Sequence, residues 1–227
     1  MKTLLISFFL AAGAATFAQD WKFEAPNYKK IGRDIADETS SFYYPSLLAR
    51  YTSGDSTLSL EERRHLYYGY TFQSAYAPYG RSEYEDSLRS VANKESLVER
   101  DYAAILIYTD RLLAYNPFDL RAINYRLFAH DKLGSRDEFA GYLTRMKIIV
   151  DAIMSSGDGK TKETAFYVIS TSHEYDLINI LGLQFGGKQS LIEHYDYLTL
   201  ARNEPGIEGL YFDVSPCLDH LNKMFKK

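Results

Sequence analysis

Residues 96–134 read SLVERDYAAILIYTDRLLAYNPFDLRAINYRLFAHDKLG, and this stretch decides the fold class. Apolar residues recur three and four apart on both sides of one interruption, Asn116-Pro117, which is the spacing of two amphipathic helices. Proline has no amide proton and its ring strikes the preceding turn, so the first helix stops there. The second restarts near Asp119 and ends at Leu133-Gly134, where glycine suits the left-handed conformation that closes a helix. A connection this short makes the two helices antiparallel neighbours.

Working outward, four segments match the capping box, in which a serine and a glutamate three residues apart satisfy orphan backbone donors reciprocally. They are Ser59-Leu60-Glu61-Glu62, Ser82-Glu83-Tyr84-Glu85, Ser96-Leu97-Val98-Glu99 and Ser135-Arg136-Asp137-Glu138, and each predicts a helix start. The helix after Ser135 is expected to bury Phe139, Leu143, Met146, Val150 and Ile153 along one face. From Trp21 to Ser156 the chain thus reads as helix after helix. Their lengths and short connections resemble tetratricopeptide-type hairpins, most closely at Leu112 to Asp119, although no repeat period runs cleanly through the chain.

The character changes after Met154. Ser155 to Thr161 is small, polar and glycine-bearing and reads as a flexible linker, and Ala165 to Ile169 reads as a short buried strand. His173 to Gly182 fits a short helix or a strand, and helix is the choice made here. Ser190 to Leu200 alternates around Tyr195, Tyr197 and Thr199, Gly209 to Val214 is aromatic and β-prone, and Asn203-Glu204-Pro205-Gly206 between them is turn chemistry. These predict an antiparallel hairpin. Ser215-Pro216 then opens a terminal helix bearing Leu218, Leu221 and Phe225. The expected fold is α+β and mainly α: stacked antiparallel helical hairpins over 19–156, then a small antiparallel β element and a C-terminal helix over 157–227, with one continuous domain as the alternative.

The first eighteen residues carry an address. Lys2 precedes an apolar run from Leu4 to Ala12, and small residues lead to Ala18 before the polar Gln19-Asp20, the layout of a secretory signal peptide cut after Ala18. The run is too short to span a bilayer comfortably and no second long one follows, so no membrane anchor is expected once the leader is removed. Export to the periplasm or beyond is the expectation. The formal charge is -4, one unit more negative without Lys2, and the basic residues are scattered among carboxylates. Nucleic acid, which needs clustered cations, is therefore excluded as a partner. With 46% hydrophobic residues the chain can bury a sizeable core. Cys217 is the single cysteine, so no internal disulfide forms, and it reads as a buried small hydrophobe.

Chemistry-bearing motifs are few. Gly157-Asp158-Gly159-Lys160-Thr161 mimics the end of a phosphate-binding loop, but Met154 stands where the first glycine belongs and a helix, not a strand, precedes it. His173, Glu174 and Asp176, with Glu193, His194 and Asp196, are imidazole and carboxylate groups that suit a metal or an acid-base pair. His173-Glu174-Tyr175 lacks the second histidine that would put two ligands on one helical face, so ordinary hydrogen bonding is favoured. His173, Glu174, His194 and Asp196 stand as the candidate catalytic residues; no metal or other cofactor is expected. His65, His130 and His220 read as surface or boundary imidazoles on helices. Tyrosine is the compositional outlier at 20 residues, and at Tyr67 and Tyr70 packing is favoured over a sugar-binding box.

One resemblance is more specific. Ser156-Gly157-Asp158-Gly159, Ala165 to Ile169, Glu174-Tyr175 and Gly182-Leu183 occur in this order before Gly209-Leu210-Tyr211-Phe212-Asp213-Val214. That order resembles a family of exported proteins of Gram-negative bacteria, domain of unknown function forty-nine-nineteen, across nearly all of the chain after the leader. The resemblance implies an exported, mainly helical protein with a small β element, and it brings no catalytic residues with it. The functional expectation is a non-catalytic binding or scaffold protein of the cell envelope, its partner a protein, peptide or glycan. The alternatives are an exported hydrolase or metal enzyme using the four candidates, and a carbohydrate-binding module built on the tyrosines.

Overall fold

The computed structural model describes residues 22–225, so the leader read at 1–18 lies outside the described residues. The described chain divides into two compact units, one over 28–151 and one containing 22–27 and 152–225. Among the described residues no helix is long and apolar enough to cross a membrane.

The first unit is helical: α1 (Tyr28–Ala36), α2 (Tyr44–Thr52), α3 (Leu60–Gly69) with a 3-10 turn at Tyr70–Phe72, α4 (Tyr84–Ala92), α5 (Glu99–Tyr115), α6 (Leu120–Leu133) and α7 (Arg136–Met154), whose last turn belongs to the second unit. Packed helix pairs are α1 with α3, α2 with α3, α4 with α5 and α5 with α6. The break at Asn116-Pro117 does more than stop a helix. It delivers Phe118, which is fully buried, to the rings of Tyr51, Tyr67 and Tyr70 at 5.1, 6.1 and 5.0 Å. The Tyr51 hydroxyl donates to the Pro117 carbonyl at 2.8 Å. Burying one such ring contributes about 1.5–3 kcal/mol. Tyr67, Tyr68 and Tyr70 are core residues, so these three rings serve packing.

The capping boxes divide. Ser59 makes both bonds of the box with Glu62. Ser82 keeps half of one, its amide donating to the Glu85 carboxylate at 3.2 Å, while α4 starts at Tyr84. Ser96 does not cap. α5 begins three residues later, where the Asp101 carboxylate accepts from the Val98 amide at 3.0 Å and from Lys94 Nζ at 2.6 Å. A carboxylate facing the partly positive end of a helix is a stronger acceptor than a hydroxyl, and Asp101 fixes the boundary. α7 begins directly after Ser135, whose carbonyl accepts from the Phe139 amide at 3.0 Å. Asp119 accepts from the Ala122 amide at 2.9 Å to open α6, and Gly134 closes that helix in the left-handed conformation.

Three expectations about the first unit are corrected. On α7 the buried residues are Ile148, Ile149, Ala152 and Ile153, whereas Phe139, Leu143, Met146 and Val150 are half-buried. The amino-terminal half of that helix packs instead through Tyr142, with the Arg126 and Arg145 guanidinium groups 4.6 and 4.4 Å from its ring. His65 is buried rather than at the surface: Nδ1 lies 2.8 Å from the Glu61 carbonyl and Nε2 3.3 Å from Asp34, with the ring stacked on Phe42. His130 is buried too, stacked on Tyr142 at 5.7 Å.

The second unit holds β1 (Phe166–Tyr167), α8 (Ser172–Ile180), β2 (Phe185–Ile192), β3 (Tyr195–Leu200), β4 (Gly209–Asp213) and α9 (Ser215–Phe225). The strand order is β1-β4-β3-β2. β3 and β4 form the expected antiparallel hairpin, but the sheet is mixed, because β1 runs parallel to β4 with Phe166 opposite Phe212. The stretch 190–200 is not one strand either. A tight turn at Glu193-His194, with Glu193 at φ 63°, splits it and adds the edge strand β2. The segment 155–161 is an ordered, largely buried turn and not a flexible linker. Gly157 fits there because an added Cβ would sit 2.1 Å from the Thr164 carbonyl oxygen. α8 agrees with the helix expected over 173–182. In α9 the buried residues are Pro216 and Cys217; Phe225 is exposed and Leu218 and Leu221 half-buried.

Candidate functional site

Strand alternation sorts the sheet into two chemically different faces. On one, Asp196 and Leu198 of β3 lie beside Phe212 and Leu210 of β4, all buried. On the other, Tyr195 and Tyr197 lie beside Asp213 and Tyr211, and Tyr167 of β1 neighbours Asp213 from the far side. The four tyrosines are half-buried. Tyr197 and Tyr211 stand 4.6 Å apart, and Tyr197 lies across Gly209: a Cβ there would fall 2.4 Å from its Cζ. The missing side chain lets the ring lie down on the sheet.

A polar group closes one end of this face. Asp213 is buried, accepts from the Ser215 amide at 2.9 Å and is hydrogen-bonded by the Tyr167 hydroxyl. His194, at the turn, brings Nε2 to 3.4 Å from Asp213, and its ring lies 4.1 Å from Tyr195. Lys162 pairs with Glu193 at 3.4 Å and holds Nζ 5.7 Å from the Tyr195 ring centre. Burial and the Asp213 charge push the Tyr167 phenol up to about 12. Burial first, then Asp213, raises Tyr195; burial first, then Tyr211, raises Tyr197. All three are neutral hydrogen-bond donors at ordinary pH.

The opposite face carries an acidic pair. Glu174, in the first turn of α8, has no solvent exposure, and Asp196 has 6%. Gln189 of β2 clamps them, its Nε2 donating to Asp196 Oδ2 at 2.7 Å and to Glu174 Oε2 at 3.4 Å, while the Tyr175 hydroxyl donates to Gln189 Oε1. Burial, and secondarily the Asp196 charge, pushes the Glu174 carboxyl up to about 9. At neutral pH Glu174 therefore keeps its proton.

The four candidates do not assemble into one site. Glu174 and Asp196 meet inside the unit, His173 is fully buried, and His194 turns to Asp213 on the other face. Among the described residues no group of three or more His, Cys, Asp or Glu side chains is placed to hold a metal ion. In the glycine-bearing turn the amides are already engaged: Gly159 donates to the Thr164 carbonyl at 2.7 Å and Lys160 to Asp158 at 3.1 Å. Sequence reading missed Asp213, Tyr167, Gln189 and Gly209. The signal for the tyrosine face was present in the alternation of Tyr195, Tyr197 and Tyr211; for Gln189 there was none.

The fold and these two clusters define a mainly helical α+β protein whose small mixed sheet shows tyrosine on one face and a carboxyl pair on the other. Within that class the chain belongs to the family Domain of unknown function (DUF4919), whose model matches residues 29–223. No curated protein and no solved structure matches it.

Proposed function

We propose that this chain is an exported binding protein of the cell envelope that holds a saccharide on the tyrosine face of its sheet and carries out no reaction on it. Export rests on the leader at 1–18. The observation that carries the ligand is Tyr197 lying over Gly209 with Tyr211 4.6 Å away, since a recumbent ring offers its face to the C–H side of a sugar while phenol hydroxyls bond its oxygens. The charged groups of the site are already engaged, Lys162 with Glu193 and Asp213 with the Ser215 amide, the Tyr167 hydroxyl and the His194 ring. A neutral saccharide suits them better than a charged one.

The test is a glycan array followed by titration calorimetry. Tyr197→Ala and Tyr211→Ala are expected to weaken binding about tenfold each, ~1.4 kcal/mol, with the fold retained by circular dichroism. An array with no neutral saccharide bound, or binding untouched by both variants, refutes the reading. A hydrolase keeps one supporting observation: His194 is partly exposed and sits against a buried carboxylate, the arrangement of a general base. Turnover of a bound saccharide that His194→Gln abolishes, with binding intact, would replace the non-catalytic reading.

A further inference from the structure

Asp196 occupies β3 between Tyr195 and Tyr197 but projects to the opposite face, so the strand that carries the tyrosines is anchored from behind by the acidic pair. Glu174 Oε1 has no hydrogen-bond partner among the described residues, and Oε2 shares the Gln189 amide with Asp196. The polar groups set against Glu174 are Asp196 from β3, the neutral amide of Gln189 from β2 and the Tyr175 phenol of its own helix, with His173 and Asp176 buried nearby on α8. A single amide clamp across three elements tolerates one carboxylate, and two in contact away from water repel strongly.

We infer that the Glu174–Asp196 pair is a proton-operated latch: one proton held between the two carboxyl groups ties α8 to β3, and its loss separates them and loosens the strand bearing Tyr195 and Tyr197. That the latch governs saccharide binding rests on the proposed function; the latch itself does not. The direction follows from linkage. The folded-state affinity of Glu174 for its proton exceeds that of the unfolded chain, so the stabilisation is complete below the ordinary value of 4.5 and is lost as pH rises through about 9.

Hydrogen exchange by mass spectrometry on the full chain, at about pH 6 and about pH 10 with intrinsic exchange rates corrected, reads the latch directly. In the wild type, protection in α8, β2 and β3 is expected to fall about tenfold more than in α5 and α6 on going to high pH. Glu174→Gln, neutral at every pH, is expected to keep that protection, and Asp196→Asn serves if the first variant does not fold. Wild-type protection unchanged at high pH, or lost equally in the neutral variants, overturns the latch. The affinity of the best-bound neutral oligosaccharide of the array, measured at the same two pH values, is expected to fall with protection in the wild type and to hold in Glu174→Gln. An array that binds nothing at either pH defeats the tyrosine-face reading alone, because exchange still decides the latch.

Discussion

Gly209 is where a single hydrogen atom shapes a surface. Gly209→Ala puts a Cβ 2.4 Å from the Tyr197 ring, so the ring must rise from the sheet. The expected cost is about 1–3 kcal/mol in urea denaturation, with saccharide binding weakened as in Tyr197→Ala. His130 makes the opposite kind of prediction. Both of its ring nitrogens are buried without hydrogen-bond partners among the described residues, and burial, aided by Arg126, lowers its affinity for a proton. A depressed folded-state value means stability present above the ordinary 6.5 and lost as pH falls below it. His130→Phe, which keeps the stack on Tyr142, is expected to remove this acid-side loss from a melting-temperature series. Neither role was legible beforehand, since a histidine on a helix declares its spacing but not what covers it.

At the scale of elements, the signals that stop helices were read more securely than those that start them. Pro117 and Gly134 act through backbone chemistry that no neighbour can override. A serine cap competes with every nearby acceptor, and at α5 Asp101 prevailed over Ser96. Ser59→Ala is therefore expected to cost about 1 kcal/mol, whereas Ser96→Ala should leave the denaturation midpoint unchanged; equal losses would contradict the assignment. β3 was legible because it alternates between a buried and a half-buried side, and β4 because it is aromatic and β-prone. β2 was not, since all eight of its residues are exposed and no alternation records a core. β1 has two residues, too few to show its parallel partner. The two candidates that do meet, Glu174 and Asp196, were named as ligands or catalysts from residue type alone; what joins them is Gln189 of β2, the strand that alternation could not show.

For the molecule as a whole, His130 and Glu174 bend stability in opposite senses, the first on the acid side and the second on the alkaline side. The melting temperature is expected to peak between these limbs, with His130→Phe flattening only the first and Glu174→Gln only the second; a single variant flattening both would show that the groups are coupled. Export is checked by recovering the protein from fractionated cells and sequencing its first residue, expected to be Gln19. An uncut chain in the cytosol would refute it. β2 borders the sheet with strand pairing on one side only, offers Leu191 and Ile192 to solvent, and carries Lys188 as its one charge. Such a margin templates further strands, so concentrated stocks of this protein should scatter light with time, and Leu191→Lys is the change that should keep them clear.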